Sequence, residues 1–155
     1  MSITMRHNPA IDRLRGLHIL RGSSDQDLAR FDRLTYEFAA GAGDVLVSEG
    51  NRASGFFVVM SGSAVVSVAG VECGVLERGM FFGETALLDR GLEPATVTAL
   101  TPSVLRVANR REFDELLRIT PFVRSVLQTL AARQRFALHA SVRPVARPVR
   151  QNLGA

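Results

Sequence analysis

Apolar residues follow two different periods along this chain, and the change of period divides it into three stretches. Ile11, Leu14, Leu17 and His18 recur at three- and four-residue spacing, which predicts a helix. A turn at Arg21-Gly22-Ser23 separates it from a second helix with Leu28, Phe31 and Leu34 on one side. Ser23 or Ser24 would cap this helix, and Asp25 and Asp27 fall in its first turn, where the helix dipole favours anions. From Thr35 to Ala108 the pattern shortens to runs rich in Val, Phe and Thr. Strands are predicted at 36–38, 45–47, 56–60, 64–68, 71–76, 96–99 and 104–108, with glycines between them. Short strands at regular spacing with turn signals indicate an all-β sandwich or barrel. Helix returns at Asn109, which forms a capping-box pair with Glu112 and precedes Phe113, Leu116, Leu117 and Ile119. Pro121 suits the first turn of a last helix reaching about Leu138, with Val123, Val126, Leu127, Leu130 and Ala131 on one side. Beyond it, RPVARPVR favours extended chain over helix.

The organisation expected is therefore an N-terminal tail over 1–10, one domain over 11–138, and a disordered Arg/Pro-rich tail over 139–155. Within the domain, β structure spans about 35–108 and helices about 109–138. The chain has 155 residues, 46% hydrophobic and 22% charged, enough apolar material for one folded core. No apolar run approaches the ~20 residues of a membrane span, and the first residues lack the apolar stretch of a secretory leader. A cytoplasmic protein is expected. The single cysteine, Cys73, excludes an internal disulfide framework and cysteine-rich zinc sites. It is expected to be buried and unreactive, having no basic neighbour in sequence. His7, His18 and His139 are far apart, which gives little support to a histidine metal site or triad.

Charge alters this picture. All 19 basic residues are arginine, so neither a Schiff-base lysine nor a phosphate-loop lysine is available. Residues 1–100 carry 9 Arg against 12 acidic residues, whereas 101–155 carry 10 Arg against 3. The basic character thus belongs to the C-terminal end, where Arg118, Arg124, Arg133, Arg135, Arg143, Arg147 and Arg150 follow the last acid. That end could contact nucleic acid or an acidic partner. Phe56-Phe57 and Phe81-Phe82 are not interleaved with arginine and read as packing residues, not a base-stacking surface.

One segment carries chemistry: Gly79-Met80-Phe81-Phe82-Gly83-Glu84-Thr85-Ala86-Leu87-Leu88, followed by Pro94-Ala95-Thr96-Val97-Thr98-Ala99. A turn of helix at Gly83-Glu84-Thr85-Ala86, directly after a strand, would point free N–H groups outward as an anion seat. A carboxylate beside such a seat suits a ligand with both phosphate and sugar. This segment resembles the phosphate cassette of cyclic-nucleotide-binding domains, whose pattern is F-G-E-x-A-L, a short gap, then P-R-x-A-T-V. Ala42 to Gly50 and Phe56 to Gly62 resemble two further signatures of that family. The resemblance covers about Ile11 to Leu138. It implies a mainly β fold with flanking α: a double-stranded β-helix (jelly roll, or β-roll) with two helices before it and two after.

By that resemblance, Phe82, Gly83, Glu84, Thr85, Ala86, Glu93, Pro94, Ala95 and Thr96 form the ligand site, with cyclic AMP or cyclic GMP as the ligand to test. Gly83 and Ala86 would offer N–H groups to the phosphate, and Glu84 would bind the ribose 2′-hydroxyl. The second half departs from the pattern: Glu93 stands in place of the phosphate-binding arginine, and Pro94, which has no N–H, follows it. A hydrogen bond to a charged group is worth ~1.5–3 kcal/mol. Losing one and adding a repulsion weakens binding at least about a hundredfold. Arg90 and Arg52 are the substitute phosphate donors the sequence offers; the plainer reading, that Arg90 neutralises Glu93 or faces solvent, is favoured.

The expected function is a stand-alone, non-enzymatic regulatory module that signals through a protein partner or a homodimer formed by the last helix. The alternative is a degenerate fold that no longer binds nucleotide and serves protein contact. No nucleophile–base pair is visible. Only 17 residues follow Leu138, too few for the helix-turn-helix of a catabolite-activator-type regulator.

Overall fold

The computed structural model describes residues 8–141. Helix α1 (Pro9–Arg15) starts where the Asn8 side chain accepts from the Ala10 N–H, two residues before Ile11. Gly16 ends α1, and His18–Leu20 form a separate 3-10 turn, not a continuation of the helix. Helix α2 (Asp25–Leu34) is capped by Ser24, not Ser23, in a reciprocal box with Asp27. Helix α3 (Glu84–Asp89) interrupts the β region, and after it come α4 (Arg110–Leu116), capped by Asn109 with Glu112, and α5 (Thr120–Ser141). Helix α5 continues to Ser141, so 139–141 are helical and not tail; the Arg/Pro-rich stretch, with Arg143, Arg147 and Arg150, lies outside the described residues.

Among the described residues, eight strands form two antiparallel four-stranded sheets. The strands are β1 (Tyr36–Ala40), β2 (Val45–Val47), β3 (Phe56–Ser61), β4 (Ala64–Val68), β5 (Val71–Leu76), β6 (Phe81–Phe82), β7 (Thr96–Ala99) and β8 (Ser103–Ala108). One sheet has the order β1-β8-β3-β6, the other β2-β7-β4-β5. The two-residue β6 is a strand the periodicity did not predict; two residues cannot show a period.

The alternation along β3 builds two cores. Phe56 and Val58 face the helices, and Phe57 and Val59 face the interior between the sheets, so all four are buried. Phe81 and Phe82 divide in the same way. On the helix side, Phe56 meets Phe81, Phe113 and Phe122 with ring centroids 5.1–5.6 Å apart, a spacing favoured for aromatic pairs. Phe122 belongs to α5, so this cluster fixes that helix on the back of the first sheet. In the roll, Phe57 and Phe82 stack with centroids 4.7 Å apart. Arg106 of β8 donates to the Asp32 carboxylate at 2.6 Å and to Thr35 Oγ1 at 3.0 Å, joining α2 to the sheet. Among the described residues, no helix is long and apolar enough to cross a membrane.

Candidate functional site

A cavity of about 1020 Å³ occupies the roll, with β5 and the start of α3 in its wall. The cavity runs from the roll interior, walled by Val47, Val66, Leu76, Phe82 and Val97, to the groove beside the 3-10 turn and α5. Of the residues expected to form the site, Phe82, Gly83, Glu84, Thr85, Glu93, Pro94 and Ala95 line it. Ala86 is fully buried within α3 behind them. Thr96 does not line the cavity; its Oγ1 accepts the Glu49 N–H at 3.0 Å and ties β7 to the β2 loop.

Gly83 is required by the backbone. Its φ of 88° lies in the left-handed region, and a Cβ there would collide with the Gly55 carbonyl oxygen. This close approach turns the chain from β6 into α3 and brings Glu84 inward instead of out to solvent. Glu84 is 3% exposed. Its Oε1 accepts from Thr85 Oγ1 at 3.3 Å and from Arg133 Nη1 at 2.9 Å, while its Oε2 has no partner. Burial raises the pKa of Glu84 above the ordinary 4.5, and the Arg133 guanidinium opposes that rise.

Arg133 was not among the predicted site residues. It comes from α5, donates through Nη2 to the Phe81 carbonyl at 2.6 Å, and lies over the Phe81 ring with its guanidinium carbon 4.7 Å from the centroid. A sequence signal existed: Val126, Leu130 and Arg133 fall at i, i+4 and i+7, so the arginine continues the inward stripe of α5.

Glu93 is 4% exposed, and its Oε1 has no partner. Burial raises its pKa, a hydrogen bond from the Ser54 backbone opposes this, and the nearby Glu84 charge adds to the rise. Its backbone is pinned to the β2–β3 connection, donating to Asn51 O at 2.8 Å and accepting from Gly50 N at 2.9 Å. Among the described residues no arginine forms an ion pair with it, Arg90 included. Arg90 sits with φ 57° at the C-terminal end of α3, Arg52 forms an isolated β-bridge with Leu92, and neither lines the cavity. The cationic group in the cavity wall beside Glu84 is Arg133. Cys73, expected to be buried, is exposed on edge strand β5 and lines the cavity mouth. Strand β5 has the second sheet on one side only, so its alternation did not translate into burial.

A sequence profile of the cyclic nucleotide-binding domain matches residues 38–120, and the chain belongs to that family. A cAMP-dependent protein kinase regulatory subunit from Eremothecium gossypii is 36% identical over 110 residues, 68% of this chain and 23% of the relative. A cGMP-dependent protein kinase from Eimeria tenella is 39% identical over 75 residues, 48% of this chain and 8% of the relative. The chain thus spans less than a quarter of the length of these curated relatives. Among solved structures, the Thermus thermophilus catabolite activator protein superposes with a TM-score of 0.69 at 22% identity, covering 77% of this chain and 59% of its own. The β-roll with flanking helices is therefore the family fold.

Proposed function

We propose that the chain is a regulatory ligand-binding module in which α5 senses the contents of the roll through Arg133. The observation that supports this is the reach of Arg133 from α5 to Glu84, the residue that the family resemblance assigns to the ligand's ribose. A ligand that hydrogen-bonds Glu84 competes with that contact, so occupancy and helix position share one carboxylate. No catalytic role is assigned; the cavity wall holds two carboxylates, Glu84 and Glu93, and two arginines, Arg78 and Arg133. The output surface in this reading is the far half of α5, where Phe136 is 76% and Leu138 59% exposed, and a protein partner or a second copy receives the signal there. A cytoplasmic setting belongs to the same proposal.

The cyclic phosphate seat is impaired in this reading, since Glu93 and Pro94 line the cavity where the family pattern supplies donors. The test is calorimetric titration of the unmodified chain and of a Glu93→Arg, Pro94→Ala double variant with cyclic AMP and cyclic GMP. The double variant is expected to bind one of them at least about a hundredfold more tightly than the unmodified chain. Micromolar binding by the unmodified chain would refute the impaired seat. A folded double variant that gains no binding would refute the ligand pocket.

A further inference from the structure

We propose that the roll takes a ligand that offers hydrogen-bond donors and no negative charge to Glu93 and Glu84: an uncharged, nucleoside-like molecule with a flat apolar body and free hydroxyls. This rests on the reading of the roll as a ligand pocket. It follows from what the two carboxylates lack.

Buried charges in folded proteins are paired or hydrogen-bonded, and a buried polar atom without a partner calls for an explanation. Here two such atoms belong to one cavity. Glu93 is 4% exposed with Oε1 unpartnered, and Glu84 is 3% exposed with Oε2 unpartnered. The torsion that carries a carboxylate is broad and soft, so each free oxygen can turn toward an occupant at little cost. Carboxylates only accept when ionised. Their complement is a donor.

The rest of the cavity narrows the class. An anion would meet Glu93 with no arginine beside it, and a charge of the same sign at about 5 Å in such an environment weakens binding by more than about a hundredfold. A metal ion is poorly served, because among the described residues no group of three His, Cys, Asp or Glu is placed to hold one. A small inorganic cation or short amine would leave the apolar walls at Val47, Val66, Leu76 and Val97 unused. The volume of about 1020 Å³ lies at the upper end of the range for sites that enclose drug-sized molecules. A ring system against those walls, with hydroxyls toward Glu84 and Glu93, uses both parts of the cavity.

The experiment uses matched pairs. Adenosine and guanosine are titrated calorimetrically into the full chain beside cyclic AMP and cyclic GMP, which carry the same base and ribose but replace two hydroxyl donors with a phosphate anion. At least one nucleoside is expected to bind at least tenfold more tightly than its cyclic monophosphate. Glu93→Gln, checked for folding by circular dichroism, is expected to lose at least fivefold in nucleoside affinity. Equal or tighter binding of the cyclic monophosphate overturns the inference, and so does the absence of nucleoside binding at millimolar concentration. The Glu93→Arg, Pro94→Ala variant separates the two levels. If nucleosides fail but this variant gains cyclic-nucleotide binding, the ligand class is wrong and the pocket stands. If it gains none, the ligand-pocket reading fails with it.

Discussion

Replacing Arg133 by methionine tests the contact between α5 and the roll with little change in volume. The methionine keeps an apolar stem against Phe81 but removes both donations, to Glu84 Oε1 and to the Phe81 carbonyl. Breaking a fully buried ion pair costs about 3–5 kcal/mol, because one charge is left uncompensated. Breaking an exposed pair costs about 0–1 kcal/mol. This pair is mixed: the Glu84 side chain is 4% exposed and that of Arg133 40%. Water already screens the arginine, so the cost is discounted to about 2–3 kcal/mol at pH 7.5.

The pH dependence makes the test specific. Glu84 already has a raised pKa with Arg133 in place, and Arg133 is the main influence opposing the rise. Its removal raises the pKa further, so Glu84 in the folded variant takes up a proton more readily. Below about 4.5, its ordinary value, Glu84 is neutral in both folded and unfolded chains and no buried charge remains to be stranded. The cost should then fall to about 1 kcal/mol, the loss of the bond to Phe81. Urea denaturation of both proteins at pH 7.5 and pH 4.5 measures this, and a double-mutant cycle with Glu84→Gln should give a coupling of about 1.5 kcal/mol or more at pH 7.5. A cost below about 0.5 kcal/mol at pH 7.5, or one that grows on acidification, would refute the reasoning.

Glu93 has a raised pKa, so its ionisation destabilises the fold: the stability linked to it is fully present below 4.5 and is lost as pH rises through its folded value. Glu93→Gln should therefore stabilise by about 1 kcal/mol at pH 7.5, with the gain gone by pH 4.5 in urea melts. Gly83→Ala must adopt left-handed backbone, costing about 1–2 kcal/mol, and also push against the Gly55 carbonyl. A midpoint drop of at least about 8 °C is expected in thermal melts. Phe122→Ala removes the ring that joins α5 to the Phe56 and Phe113 cluster and should cost about 3–5 kcal/mol by denaturant titration.

What the sequence revealed depended on the range of the interactions involved. The Asn109 cap was legible because Glu112 lies within three residues, whereas the choice between Ser23 and Ser24 at the start of α2 was left open until the structure placed Ser24 opposite Asp27. The longer strands were legible because alternation needs only neighbours. The same local reasoning failed at β6, which is too short to show a period, and at Cys73, where burial depends on which strand covers β5. Gly83 through Ala86 and Glu93-Pro94 could be placed near one another from the motif. The side-chain environment there could not, since the contacts of Glu84, Glu93 and Gly83 depend on Arg133, Ser54 and Gly55 arriving from other parts of the chain. Arg90 and Arg52 were attractive by proximity in sequence and in loops. The cation that reaches Glu84 comes from 49 residues away.

That distance bears on how the module could transmit a signal. A ligand moves an equilibrium only by the difference between its affinities for the two states. If α5 is held to the roll partly by Arg133, a ligand taking over Glu84 can at most cancel what that contact supplies. At about 2 kcal/mol this is a population shift of roughly thirtyfold. Linkage is reciprocal, so a partner that pulls α5 away frees Glu84 and raises ligand affinity by the same factor. The Phe122 cluster sets the other limit. It anchors the start of α5 through buried aromatic contacts that no ligand in the roll touches, so the expected motion is confined to the helix beyond about Val126. Arg133→Met should then mimic occupancy: hydrogen exchange should accelerate in α5 after Val126 and stay unchanged around Phe122. Acceleration throughout α5 would mean that Arg133 supports the whole helix and is not a local latch.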